Sequence, residues 1–179
     1  MCFACQNQKQ ANTEHKHDGE STSAPVPDTV KKSVPKEAHA QIGETHFVIR
    51  YHAPTVRGRV IWGGLVPYGE VWVTGAHSAT SLEVDRQISI NGITLPAGKY
   101  AFFTIPGKDK WTVIINKNWE QHLTDEYNPA EDLVRLDITP EILPNVQERL
   151  DYSIVDTGNL TVSIDMKWEK LKVSMPITL

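Results

Sequence analysis

Cysteine is nearly missing: the 179-residue chain has two, Cys2 and Cys5, both within its first five residues. No disulfide, thiolate metal site or cysteine nucleophile is therefore expected in the folded part. Long apolar runs are missing as well; nothing approaches the ~20 residues that a membrane-spanning helix needs. Nor is there a basic excess. The formal net charge is −4 and the pI near 6.0, whereas phosphate backbones are bound by basic faces, so no nucleic-acid partner is expected. The chain shows no internal repeat and no long amphipathic helix. What is there, 40% hydrophobic and 22% charged, is the composition of a soluble globular protein, at a length that fits one domain plus an appendage.

The opening "MCFACQNQKQ" has the form of the end of a bacterial lipoprotein signal: apolar residues and the small Ala4 precede Cys5, and a polar spacer follows. The charged start and longer apolar core of a complete signal are not in this sequence. Two expectations follow. Either translation begins upstream and Cys5 carries a lipid that anchors the protein to a membrane of the cell envelope, facing the periplasm or outward; or Met1 is the true start and the protein is cytoplasmic. Residues 6–40 contain almost no large apolar side chain and cannot bury enough surface to offset chain entropy. They are expected to be a flexible linker, dividing the chain into 1–40 and a domain over 41–179. His15 and His17 within the linker read as part of a solvated polar run.

From residue 42 the texture changes. "HFVIRYH" (46–52) alternates as a strand does, and "RVIW" (59–62), "EVWVT" (70–74) and "TSLEV" (80–84) read as further short strands. "ISINGITL" is a hairpin, with Asn91-Gly92 supplying the positive φ angles of a type I′ turn. "GKYAFFTIPG" and "WTVIINK" form a further pair. Only 118–132 breaks the pattern, as a long loop with a short helical turn after Asn128-Pro129. Strands over 133–138, 148–156 and 160–177 complete the fold, with the last turn near Asn159. About nine short strands predict an all-β domain, an antiparallel β-sandwich or jelly-roll-like barrel.

Several blocks in order carry a resemblance: Gly58-Arg59, Gly63 through Gly69, Val71-Trp72, Thr74-Gly75-Ala76, Ala79-Thr80, Leu95-Pro96-Ala97-Gly98 with Tyr100, and Phe103-Thr104-Ile105-Pro106-Gly107. Over roughly residues 40–177 the chain resembles the bacterial family catalogued as domain of unknown function 2911, which is often found in secreted or lipid-anchored proteins. The resemblance implies a fold and an envelope address, and brings no activity, cofactor or substrate. Many members read "WRTGANEAT" where this chain reads "WVTGAHSAT". Val73, His77 and Ser78 thus stand where those relatives carry an arginine, an asparagine and a glutamate.

Ser78 lacks the flanking glycines and the following helix of a nucleophile elbow and reads as a turn hydroxyl. Three histidines share a different feature. His52 ends a strand, His77 follows one, and His122 lies in the long loop with Asp125 and Glu126. Strand ends and loops of a sandwich meet at its rims. Neutral imidazoles with Asp125 or Glu126 as fourth ligand or general base would suit a divalent transition metal with an open position. Trp62, Tyr68, Trp119 and Tyr127 at turns offer flat surfaces for a sugar ring, and Arg57 with Arg59 could hold an anion. The leading expectation is a non-enzymatic module that binds a small molecule, a glycan or an envelope protein at one loop-lined rim. A metal-dependent enzyme with the three-histidine site is the alternative.

Overall fold

The structure, a computed structural model, describes Met1 and residues 33–179. Cys5, His15, His17 and most of the expected linker lie outside the described residues. Ten strands run in the order β1 (Val34–Ile42), β2 (Thr45–Ala53), β3 (Thr80–Val84), β4 (Ile88–Ile90), β5 (Ile93–Leu95), β6 (Gly98–Ile105), β7 (Trp111–Asn116), β8 (Asp132–Ile138), β9 (Glu141–Gly158) and β10 (Thr161–Thr178). One turn of 3-10 helix, Pro129–Glu131, follows Asn128 as expected, and no helix among the described residues is long and apolar enough to cross a membrane. Six strands form one antiparallel sheet, β1-β2-β3-β6-β7-β8, and four form another, β5-β4-β10-β9. The domain is the expected all-β sandwich, with ten strands in place of nine.

Alternation builds the core. Phe47, Ile49 and Tyr51 of β2, Leu82 and Val84 of β3, Phe102 of β6 and Val113 and Ile115 of β7 face inward. They meet Leu150 and Tyr152 of β9 and Ile164, Met166 and Met175 of β10. At one end four indoles close the interior. Trp111 of β7 packs on Trp62 with ring centres 4.8 Å apart, and Trp168 of β10 stacks on Trp72 at 5.7 Å. The sheets are also stitched along one side, where β9 leaves β10 and residues 54–56 take its place: Val56 N–H donates to Glu148 O (2.8 Å) and Leu150 N–H to Pro54 O (2.9 Å).

Two sequence expectations need correcting. The first strand begins at Val34, inside the segment read as linker, so the domain starts near 33 rather than 41. Its inward positions hold Val34, Lys36, Ala38, Ala40 and Ile42, and the lysine and two alanines in the middle do not register as an apolar face. Lys36 is tolerated there because its ammonium pairs with Asp151 of β9. Second, 59–62 and 70–74 are not strands but turns and single bridges, Trp62 to Val66 and Trp72 to Thr104. The chain reverses at Gly63 (φ +76), where an added Cβ would lie 2.7 Å from the Tyr68 ring. The apolar residues of this stretch, Ile61, Val66 and Val73, are buried as plugs rather than as ladder positions. The expected hairpin turns hold: Asn91 and Gly92 have φ of +51 and +77, and Asn159 and Leu160 of +53 and +60.

Candidate functional site

The outer face of the six-stranded sheet would be a solvated surface if nothing crossed it. Two segments do. Residues 71–79 and 117–128 fold back over it and bury a second small core of Val73, Ala79, Ala101, Phe103 and Ile114, against which Trp119 and Tyr127 pack. The Tyr127 ring meets Phe103 edge-on at 5.4 Å, and its hydroxyl donates to Asp132 (2.8 Å). Asn116, fully buried, donates to Asn128 O (3.0 Å) and to Asp132 (2.8 Å). The long loop is thereby pinned at both ends, which makes it a fixed wall.

Between that wall and β1–β3 runs a groove of about 730 Å³. Arg50, Ser81 and Ala101 stand side by side across β2, β3 and β6, the first two on the groove floor. Trp119, Glu120, Gln121, His122 and Glu126 form the wall, with Ser78 and Ala79 at one end. Charge in the groove is largely internal. Arg50 is held by Glu37 (2.9 Å) and Glu83, and the Lys99 ammonium lies 3.5 Å from the centre of the Trp119 ring, a cation–π contact. A second, smaller pocket of about 230 Å³ lies beyond the turn, lined by Arg57, Arg59, Leu65, His77, Leu123 and Trp168 among others.

The sequence-derived candidates divide between these places. His52 is half-buried on the larger groove, His77 is exposed on the smaller pocket, and their rings touch edge to face at 5.2 Å. His77 reaches this position with φ +64, a left-handed conformation uncommon outside glycine, and its carbonyl accepts Leu123 N–H at 2.7 Å. His122 pairs opposite Ser78 and turns instead to Asp125 (3.0 Å). Among the described residues no group of three or more His, Cys, Asp or Glu side chains is placed to hold a metal ion. The expected three-histidine centre is therefore not assembled. Asp125 serves His122, and Glu126 lies on the groove. Ser78 is exposed and makes no side-chain hydrogen bond to an imidazole among the described residues.

Trp119 lines the groove as an aromatic platform should. Trp62, expected at a ligand surface, packs against Trp72, Trp111 and Trp168 instead. Tyr127 is committed to Phe103 and Asp132, and Tyr68 remains 39% exposed above Gly63. Arg59 donates to the carbonyls of Val56 (3.1 Å) and Thr55, tying its own loop. Arg57 is exposed, its backbone N–H on Glu148 (2.9 Å). Sequence reading missed Glu37, Arg50, Lys99, Glu120 and Gln121. The one available signal was Arg50, a charge in the middle of an apolar strand.

Burial, and then the charge of His77, hold the His52 imidazole below its ordinary value of 6.5. The folded protein thus resists a proton that the unfolded chain accepts near 6.5, so unfolding takes up a proton in that window. Stability from this group is complete above 6.5 and is lost as pH falls through the lower, folded value. Urea midpoints at pH 7.5 and 5.5 are expected to differ less in His52→Ala than in the parent. Glu37 and Asp137, whose carboxyls are held down by His39 and Lys110 first of all, act only below this window. Equal pH dependence in the two proteins would remove His52 as the cause.

Fold and groove together define a two-sheet antiparallel β-sandwich whose outer sheet face is roofed by its own loops. Residues 33–177 match the model of a family described as "Protein of unknown function (DUF2911)". The chain belongs to that family. Searches of curated proteins and of solved structures each return no match.

Proposed function

We propose that the domain is a non-enzymatic binding module that takes a small polar ligand in the groove on the outer face of the six-stranded sheet. The observation that carries this reading is the groove itself. Its volume of about 730 Å³ falls in the range of small-molecule sites, roughly 300–1,000 Å³. It joins an aromatic platform, Trp119, to polar side chains on a wall that the second core holds in place. The envelope address belongs with the same reading. A lipid on Cys5 would hold the module at a membrane, and its test is loss of fatty-acid incorporation in Cys5→Ser.

Ligand binding is tested by amide chemical-shift mapping with panels of saccharides, amines and carboxylates. Shifts confined to the groove residues are expected from at least one panel. Trp119→Ala is expected to weaken that binding tenfold or more while unfolding cooperatively like the parent. Panels that leave the groove resonances unmoved would sink the reading.

A further inference from the structure

We infer that the smaller pocket is a second binding site and takes a short-chain monocarboxylate, with the carboxylate on Arg59 and the hydrocarbon chain against Leu65 and Leu123. The inference stands apart from the groove reading, because no residue lines both cavities. The ionisable side chains on this pocket are Arg57, Arg59 and His77, and no carboxylate lines it. Arg59 is anchored within its own loop, Nε to Val56 O (3.1 Å) and Nη2 to Thr55 O. Those two bonds fix the plane of the guanidinium, while Nη1 keeps both its hydrogens without an acceptor among the described residues. A guanidinium already held in place, with donors to spare, suits a planar oxyanion and loses little freedom when one arrives.

The rest of the wall supplies the apolar half. Leu65 and Leu123 line the pocket and stay 47% and 40% exposed. The volume of about 230 Å³ holds about eight non-hydrogen atoms at the ~30 Å³ that a water takes up in the liquid, which is the size of hexanoate. Backbone conformation points to the same place. Of the eight non-glycine residues with positive φ among the described residues, three line this pocket: Arg57 (+50), His77 (+64) and Leu123 (+47). Left-handed backbone is costly for residues with a side chain and clusters at ligand sites. Glycine would meet the conformation at 123 without strain; leucine keeps an apolar side chain on the pocket at that cost. Leu123 N–H donates to His77 O at 2.7 Å, which ties two of the three together.

Four probes separate the demands of charge and chain. Full-length protein is titrated by amide-shift mapping with hexanoate, acetate, hexan-1-ol and hexylammonium. Hexanoate is expected to shift the amides of Arg59, Ala76, His77 and Leu123 and to leave those of Trp119 and Gln121 in place. It should bind at least tenfold more tightly than acetate, which lacks the chain, or hexan-1-ol, which lacks the charge, and hexylammonium should not bind. Arg59→Lys keeps the charge but not the planar fork, and is expected to lower hexanoate affinity tenfold or more. Leu123→Gly removes the side chain while relaxing its backbone, so it tests the apolar wall without adding strain; hexanoate should then bind no better than acetate. Equal affinity for hexanoate and hexan-1-ol, preference for hexylammonium, or undiminished binding in both variants would overturn the carboxylate site. So would silence of the pocket, or hexanoate shifts confined to the groove. The groove reading is decided separately, on the resonances of Trp119 and Gln121.

Discussion

Trp168→Ala is expected to lose about 3–5 kcal/mol of stability, the range for removing a large aromatic from a packed interior. Trp168 is 1% exposed. It stacks on Trp72 at 5.7 Å with planes 22° apart and meets Trp62 edge-on at 5.6 Å. Trp111 reaches the same cluster from the opposite sheet, 4.8 Å from Trp62. The four rings therefore join both sheets and the two bridge-forming segments that cross between them, and truncating one leaves a cavity its neighbours cannot all fill. The companion variant refines the point. The Trp168 indole N–H, like those of Trp62 and Trp111, is buried without an acceptor. Trp168→Phe removes that orphan donor while keeping a ring, so it should cost markedly less, about 1 kcal/mol, because the void is offset by an unmet group no longer buried. Denaturant unfolding followed by far-ultraviolet circular dichroism measures both. Loss below 1 kcal/mol in Trp168→Ala would mean that the cluster is not where the sheets are held together.

That cluster also marks where the sequence was readable and where it was not. Trp111 and Trp72 lie in short β-rich runs that read as strands, and both are in the cluster. Trp62 was assigned to a surface because glycines follow it, yet a turn can face inward as readily as outward. Periodicity reports which face of a regular element is apolar; along 59–74 there is no regular element for it to report on. The opposite failure occurred at β1, where an alternation exists but the middle of its inward face is a lysine and two alanines. Of the residues the sequence singles out, His52, His122, Glu126 and Trp119, at a strand end or in the long loop, line the groove. Glu37 and Lys99 were missed because they occupy outward positions of strands, which a sequence presents as ordinary solvent-facing charges. Only the segments folding over that face turn it into a groove floor, and such long-range folding back leaves no local trace.

The turn that starts this roof yields the other large expected effect. In Gly75→Val the new Cβ would stand 2.8 Å from Thr80 Oγ and 3.2 Å from His52 O, before its two methyls are placed. Neither neighbour is free to yield. The Thr80 hydroxyl is buried and donates to Thr74 O (3.1 Å), which also accepts the buried Tyr152 hydroxyl (2.8 Å). Thr74 itself holds φ +52 with no exposed surface, a conformation rare for a β-branched residue. Its backbone is maintained by those two donors and by its own hydroxyl on Thr104 (3.0 Å). Overpacking of this kind costs about 1–3 kcal/mol, and breaking the buried threonine bond adds about 1–3 more, so a loss near 3 kcal/mol is expected. The structural consequence is more specific than the loss. Gly75 backs directly onto the end of β2, and two residues later His77 meets His52. Moving the turn away from β2 should separate the two imidazoles, seen as shifts of both Hε1 resonances, and draw Ser78 and Ala79 from the end of the groove. A variant of parental stability with unmoved imidazole resonances would show that the turn places neither histidine. With the expected result, the glycine of "TGAHS" is what allows the chain to turn against the end of β2, a histidine to be presented and the groove to be closed at one end within five residues.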